Sequence, residues 1–240
     1  MSHASPERRE QDLANAMKVW SNLGLDNMFR PVSHFGEHTG HGKVYRTSGN
    51  KIMKISKWSK NSKREMHIAK KAGNANIGPK VWNTRKYSAN GKELAVMTMN
   101  LIPDSKNLYN AIVNGNIRNF RNISNAINRM HAAGIHHGNL HGGNILVYVG
   151  ANGRVRIIPI DFGTSKYHRG IKNTRSAVHY AIERRGWRGG SVVWRTGNNG
   201  ISTYRRPGRA QAITSNANMI RHLRSYFNKY SPYRASARPH

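Results

Sequence analysis

The 240-residue chain contains no cysteine, so neither a disulfide framework nor a thiolate metal site is available to it. Acidic residues are scarce as well: ten Asp and Glu stand against forty Lys and Arg. No apolar run approaches the ~20 residues of a membrane-spanning helix. The opening segment, MSHASPERREQD, lacks a signal-peptide core. These absences argue against a disulfide-stapled secreted domain and against a helical membrane protein. The expectation is a soluble protein, intracellular or packaged.

What is present in excess is positive charge, a formal +30 with a pI near 11.3. Charge of that size repels itself and destabilises a bare compact state, so solubility alone is a weak account of it. A polyanionic partner is the expectation, either nucleic acid or an acidic protein, with an anionic membrane surface as another polyanion. Glu183 is the last acidic residue, which leaves the C-terminal quarter purely basic. Because carboxylates are rare, the position of each one is informative.

Apolar residues make up 37% of the chain, enough for a core in a compact protein of this length. Residues 6–23 read as a helix. Ser5 can cap it and Pro6 suits its first turn, while Leu13, Met17, Trp20 and Leu23 form one apolar stripe. HGKVYRTSGNKIMKIS reads as two strands around Ser48-Gly49-Asn50, followed by a short helix, Lys63 to Ala72, closed by Gly73. VWNTRKYS and KELAVMTMNLI give two more strands joined at Asn90-Gly91. Phe120, Ile123, Ile127 and Met130 recur at helical spacing. ILVYVG and RVRIIPI flank the turn Ala151-Asn152-Gly153. A last helix is expected near Ala217–Tyr230, with Met219, Leu223, Phe227 and Tyr230 on one face. The segment 165–212 is rich in Gly and Arg and gives no clear pattern. The expected class is α+β, a strand-rich part before a helical part. We divide it as a helical extension over 1–30, a small β-rich lobe over 31–100, a reduced helical lobe over 101–230 and a disordered basic tail over 231–240.

Two motifs carry chemistry. HGNLHGGNIL, His137 to Leu146, holds two amides five residues apart, Asn139 and Asn144. IIPIDFG ends a strand at Asp161-Phe162-Gly163. A carboxylate there can bind Mg²⁺ bridging phosphates. With the hairpin between them, the two motifs resemble the protein-kinase-like superfamily over roughly residues 34–165. The H-G-x-L-H-x-x-N-I-L form is most similar to its atypical branches, which include lipopolysaccharide and small-molecule kinases and compact kinases of large DNA viruses.

The resemblance implies a two-lobe fold with ATP and Mg²⁺ as cofactors, and it assigns roles residue by residue. Asn144 and Asp161 would hold the metal. Lys54, in KIMKIS, would hold the α- and β-phosphates. Glu65 would pair with that lysine from a helix; alternatively, Ser62-Lys63-Arg64-Glu65 is a capping box and Glu65 serves only the helix end. In FGEHTGHGKVY, Gly42 and Val44 match the glycine-rich lid and Gly40 lies close by, but Glu37 and Thr39 stand where two glycines belong. AVMTMNLIP resembles the strand leading to the adenine site, with Met97 as gatekeeper and the backbone of Thr98 and Asn100 facing adenine.

The chain departs from the pattern at its centre. The position of the catalytic base is Asn139, an amide without useful basicity that still hydrogen-bonds. His141 stands where a lysine or histidine meets the transferred phosphate. Gly138 replaces an arginine that reads activation-loop phosphate, and no A-P-E follows Asp161. Three readings remain: a catalytically impaired Mg·ATP-binding protein; an active atypical kinase of serine/threonine or small molecules; and a basic nucleic-acid-binding or virion protein using the fold as a scaffold. The stretch GWRGGSVVWRTGNNGISTYRRPGR, with Trp187, Trp194 and Tyr204 among arginines, suits the third. The minimal size, the charge and the form of the loop point to a viral origin.

Overall fold

The computed structural model describes residues 5–35, 42–89, 91–167, 195–196, 202–203 and 215–233. The chain forms two compact units. The first is Met1–Pro103 with Asp161–Gly163, and the second is Asp104–Ile160 with Thr164–His240. Both strands and helices are present, so the class is α+β, with the strands concentrated towards the N-terminus.

The first unit is built on a five-stranded antiparallel sheet: β1 (Pro31–His34), β2 (Lys43–Thr47), β3 (Lys51–Lys57), β4 (Val81–Ala89) and β5 (Lys92–Asn100), in spatial order β1-β2-β3-β5-β4. Register explains its chemistry. Val44, Lys54 and Met97 are direct cross-strand partners, so their side chains share one face. Tyr45, Met53 and Val96 lie on the other, where they form a core cluster with Ala16 and Val19 of α1 (Pro6–Asn22).

Helix α1 is capped by Ser5, whose hydroxyl accepts from the Arg8 amide. Its buried stripe is rotated from the expected one. Asp12, Ala16 and Val19 are buried, while Leu13, Trp20 and Leu23 pack at the margin of the cluster. The reason is ionic: Asp12 faces inward and binds Lys43 of β2, and its backbone carbonyl accepts from the Tyr45 hydroxyl.

Helix α2 spans Lys60–Asn74, longer at both ends than the sequence suggests. The capping box is formed by Ser59 and Ser62, each accepting from the other's backbone amide. Gly73 lies within the helix rather than closing it. The alternative role of Glu65 as a capping residue is thereby excluded, and its side chain is buried in the helix interior.

In the second unit, α3 (Leu108–Val113) and α4 (Phe120–Ala132) precede the loop. Phe120, Ile123, Ile127 and Met130 of α4 are all buried, as their spacing suggests. The strands β6 (Lys106–Asn107) and β7 (Ile135–His136) precede the hairpin β8 (Ile145–Val149) and β9 (Val155–Pro159), which turns at 151–153. β6 joins β8, and β10 (Lys166–Tyr167) pairs with β7. A two-residue pair, β11 (Arg195–Thr196) and β12 (Ser202–Thr203), precedes α5 (Ser215–Tyr230). Leu223 and Phe227 of α5 are buried, but Tyr230 is 39% exposed and not part of that face. Its ring packs at a tilt against Tyr226 instead, with centroids 4.5 Å apart. Ser231, assigned above to the tail, is buried, and its amide donates to the Phe227 carbonyl. Trp187, Trp194, Tyr204 and the tail from 234 lie outside the described residues.

Candidate nucleotide and phosphate site

In the first unit, β3 and α2 bring together two of the residues the sequence singled out, and Asp161 joins them. Lys54 Nζ binds the Glu65 carboxylate and lies 3.3 Å from Asp161 Oδ1. Lys54 is 9% exposed and Glu65 6%, so this is a buried ionic cluster rather than a surface pair. Burial alone pushes the lysine pKa down and is the strongest single influence. Glu65, then Asp161, together outweigh it, and the pKa is raised above its ordinary 10.5. The ammonium therefore stays charged at neutral pH, fixed and presented by two carboxylates.

Asp161 has φ of 59°, the left-handed region that a residue with a Cβ rarely adopts. Strain of this kind persists only where the surroundings impose it, and it gathers at functional sites. One such constraint comes from α2: the Arg64 guanidinium donates to the Gly163 carbonyl at 3.4 Å. Phe162 is buried.

The lid and adenine assignments fare differently. Gly42, at φ of 142°, packs against β3: a Cβ there would lie 2.9 Å from the Ile55 carbonyl oxygen. Its glycine is required by close strand approach, whatever else it does. Val44 shares the face of Lys54, and so does Met97. Gly40 falls outside the described residues, as do Gly36, Glu37 and Thr39. Thr98, whose backbone is expected to face adenine, lies in a central strand. β5 is flanked by β3 and β4, Thr98 is paired on both sides, and its hydroxyl accepts from the Asn83 amide. A central strand spends its backbone groups on its neighbours. The Asn100 amide likewise donates to the Lys80 carbonyl, and its side-chain oxygen accepts from Trp82, so its N–H is not available to adenine.

In the second unit, the loop 137–144 is held by a dense set of bonds. His137 Nε2 meets the Ile160 carbonyl at 2.7 Å, and the His137 carbonyl accepts from the hydroxyls of Thr164 and Ser165. Gly138 has φ of 79°, and a Cβ there would lie 2.7 Å from the Thr164 carbonyl oxygen. This is why the loop reads H-G: a side chain would both strain the backbone and collide. Asn139 is exposed. Asn144 Nδ2 donates to the Asn139 carbonyl at 3.0 Å, which orients the amide and turns its oxygen to the opposite side. His141 Nδ1 accepts from the Gly143 amide at 3.1 Å, capping a short 3₁₀ turn over Gly142–Asn144. With its Nδ1 lone pair used as a cap, this imidazole is poorly placed to act as a base through that atom.

Sequence reading missed the layer beneath the loop. His131, His136 and His137 are all buried. Burial first, then His136 and His137, lowers the His131 pKa from 6.5 to about 4. The imidazole is thus neutral in the folded protein. The unfolded chain takes up its proton below pH 6.5 and the folded chain only near pH 4, so stability held above pH 6.5 is lost as the pH falls through that window. The loss expected from this one group is about 3 kcal/mol by pH 4. Urea unfolding at pH 7, 6, 5 and 4 tests it. Whatever His131→Leu costs at neutral pH, it flattens the slope; an unchanged slope excludes His131 as its source.

The described residues hold no group of three His, Asp or Glu able to cage a metal ion. A Mg²⁺ ion would need only one or two protein oxygens, taking its remaining ligands from phosphates and water. Asp161 of the first unit offers an oxygen donor of the required hard type, and Asn144 of the second unit, taken by itself, offers another. Nor is any helix among the described residues long and apolar enough to cross a membrane.

No curated protein matches the chain. The model of the lipopolysaccharide kinase (Kdo/WaaP) family matches residues 108–185, which include the loop 137–144 and Asp161–Gly163 but not Lys54 or Glu65. Over that stretch the chain is similar to the lipopolysaccharide kinases, and its α+β architecture is consistent with a kinase-like fold.

Proposed function

We propose that the chain binds Mg·ATP and transfers phosphate weakly or not at all, as a pseudokinase does. The observation that carries this reading is the buried Lys54–Glu65 pair joined by the partly exposed Asp161, which is in a strained backbone conformation. A lone fold-stabilising ion pair would not need a third, partly exposed carboxylate. A phosphate site does: the lysine holds phosphate oxygens and the aspartate holds the metal. Bound Mg²⁺ would supply charge neutralisation between the phosphates, with Asp161 as a protein ligand.

Asn139 sets the limit. It can orient an acceptor hydroxyl but cannot take its proton. His141 is not a ready substitute, because its Nδ1 is engaged within the loop. Glycine at 138 removes the cation that would read a phosphorylated segment, so the site is not switched by that route.

Thermal unfolding with and without Mg·ATP at fixed salt tests the reading. Ligand at ~100 times its Kd adds about 2.7 kcal/mol to the folded state. The natural protein should show a metal-dependent rise in midpoint, and Asp161→Ala should abolish it. A rise that survives the substitution reflects nonspecific charge binding and counts against a nucleotide site.

A further inference from the structure

Trp82 sits at the irregularity in the pairing of β4 with β5. Register is continuous from Asn83 to Ala89 and shifts between Val81 and Asn83, leaving Trp82 as the inserted residue. Bulges re-aim side chains, and this one turns an indole outward until it is 43% exposed. The ring is nonetheless fixed. Its Nε1–H donates to Asn100 Oδ1 at 2.7 Å, and Phe29 lies against it with ring centroids 6.4 Å apart. Two ammonium groups attend it: Lys80 Nζ is 4.3 Å from the ring centroid and Lys51 Nζ 5.3 Å. Among the described residues neither lysine forms an ion pair.

We propose that Trp82, Lys51 and Lys80 form a binding surface for single-stranded nucleic acid, with a base stacked on the indole and neighbouring phosphates on the lysines. The chemistry selects this partner. An exposed, rigidly held ring is a stacking platform that accepts any base. Two unpaired cations beside it are what the flanking phosphates require, and the chain's +30 draws such a strand in. A phosphate binds an ammonium more strongly than a ring face does, so it uncovers the indole as it arrives. An acidic protein would use the charge but has no planar group to match the ring. This surface is separate from the Lys54 cluster and does not depend on the nucleotide reading.

The test compares an oligothymidylate of about ten nucleotides with inorganic polyphosphate of similar charge, both titrated against the full chain. Trp82→Ala should weaken oligonucleotide binding about tenfold and leave polyphosphate binding unchanged, while Trp82→Phe restores most of the loss. Lys51→Ala with Lys80→Ala should reduce the slope of log K against log salt by about 1.4. Circular dichroism of each variant confirms the fold, and the Phe variant guards against a merely structural effect. Equal oligonucleotide affinity in Trp82→Ala and the natural protein overturns the proposal. So does an equal loss for polyphosphate, which would reduce the surface to charge alone.

Discussion

Asn139→Asp should raise phosphoryl transfer from ATP, to water or to an added acceptor, by about 10²–10⁴-fold. The substitution is nearly isosteric, and the side chain it changes is exposed. The bond that orients Asn144 is made to the backbone carbonyl of residue 139, so the loop keeps its geometry. What changes is the group itself: a neutral amide becomes a charged carboxylate that can take a proton. Positioning and electrostatics supply the remainder of a kinase's rate enhancement, so on the proposed reading, in which Asn139 leaves the site without a base, returning the base should speed transfer sharply. Single-turnover measurement of γ-phosphate loss checks this. If the Asn139→Asp variant binds Mg·ATP as the natural protein does and transfers no faster, the missing base is not what limits the site.

The second large effect concerns the cluster itself. Glu65→Leu leaves a buried ammonium with only the more distant Asp161, and Lys54→Met leaves a buried carboxylate without its cation. Each should cost about 3 kcal/mol, the penalty of an uncompensated buried charge. The double variant should cost far less than the sum, because two apolar side chains then replace two charges. Urea unfolding of all four proteins gives the coupling; additive losses would contradict a tight pair. By contrast, Glu93→Gln, which breaks the half-exposed Lys86–Glu93 pair, should cost less than ~1 kcal/mol. The pH dependence has a definite sign. The Lys54 pKa is raised above 10.5, so the pair's contribution is complete below that value and disappears as the pH rises through the folded-state value.

How much of this is legible in the sequence depends on the range of the interaction responsible. The strands declare themselves because alternation and turn residues are local, and Asn50 takes positive φ in the turn between β2 and β3. Lys54, Glu65 and Asp161 are identified by motif, although 107 residues separate Lys54 from Asp161. The rotation of α1 is hidden because a buried Asp12 contradicts the apolar-stripe rule, and its reason, Lys43, lies on another element. Ser59 escapes notice as a cap because Ser62–Glu65 matches the same pattern. The pairing of Thr98 on both sides is hidden because strand order decides which neighbours a strand has, and that order is not written locally. Gly138 looks like a lost arginine; its necessity appears only against the Thr164 carbonyl.

Calorimetric titration of the natural chain and of Asp161→Ala with ATP, with and without Mg²⁺ and at two salt concentrations, tests the central claim most directly. A saturable one-to-one binding that requires Mg²⁺, persists at the higher salt and vanishes in Asp161→Ala is the result this account predicts. Binding that ignores both Mg²⁺ and the substitution, and collapses with salt, would contradict it and leave the kinase-like fold as a carrier of charge.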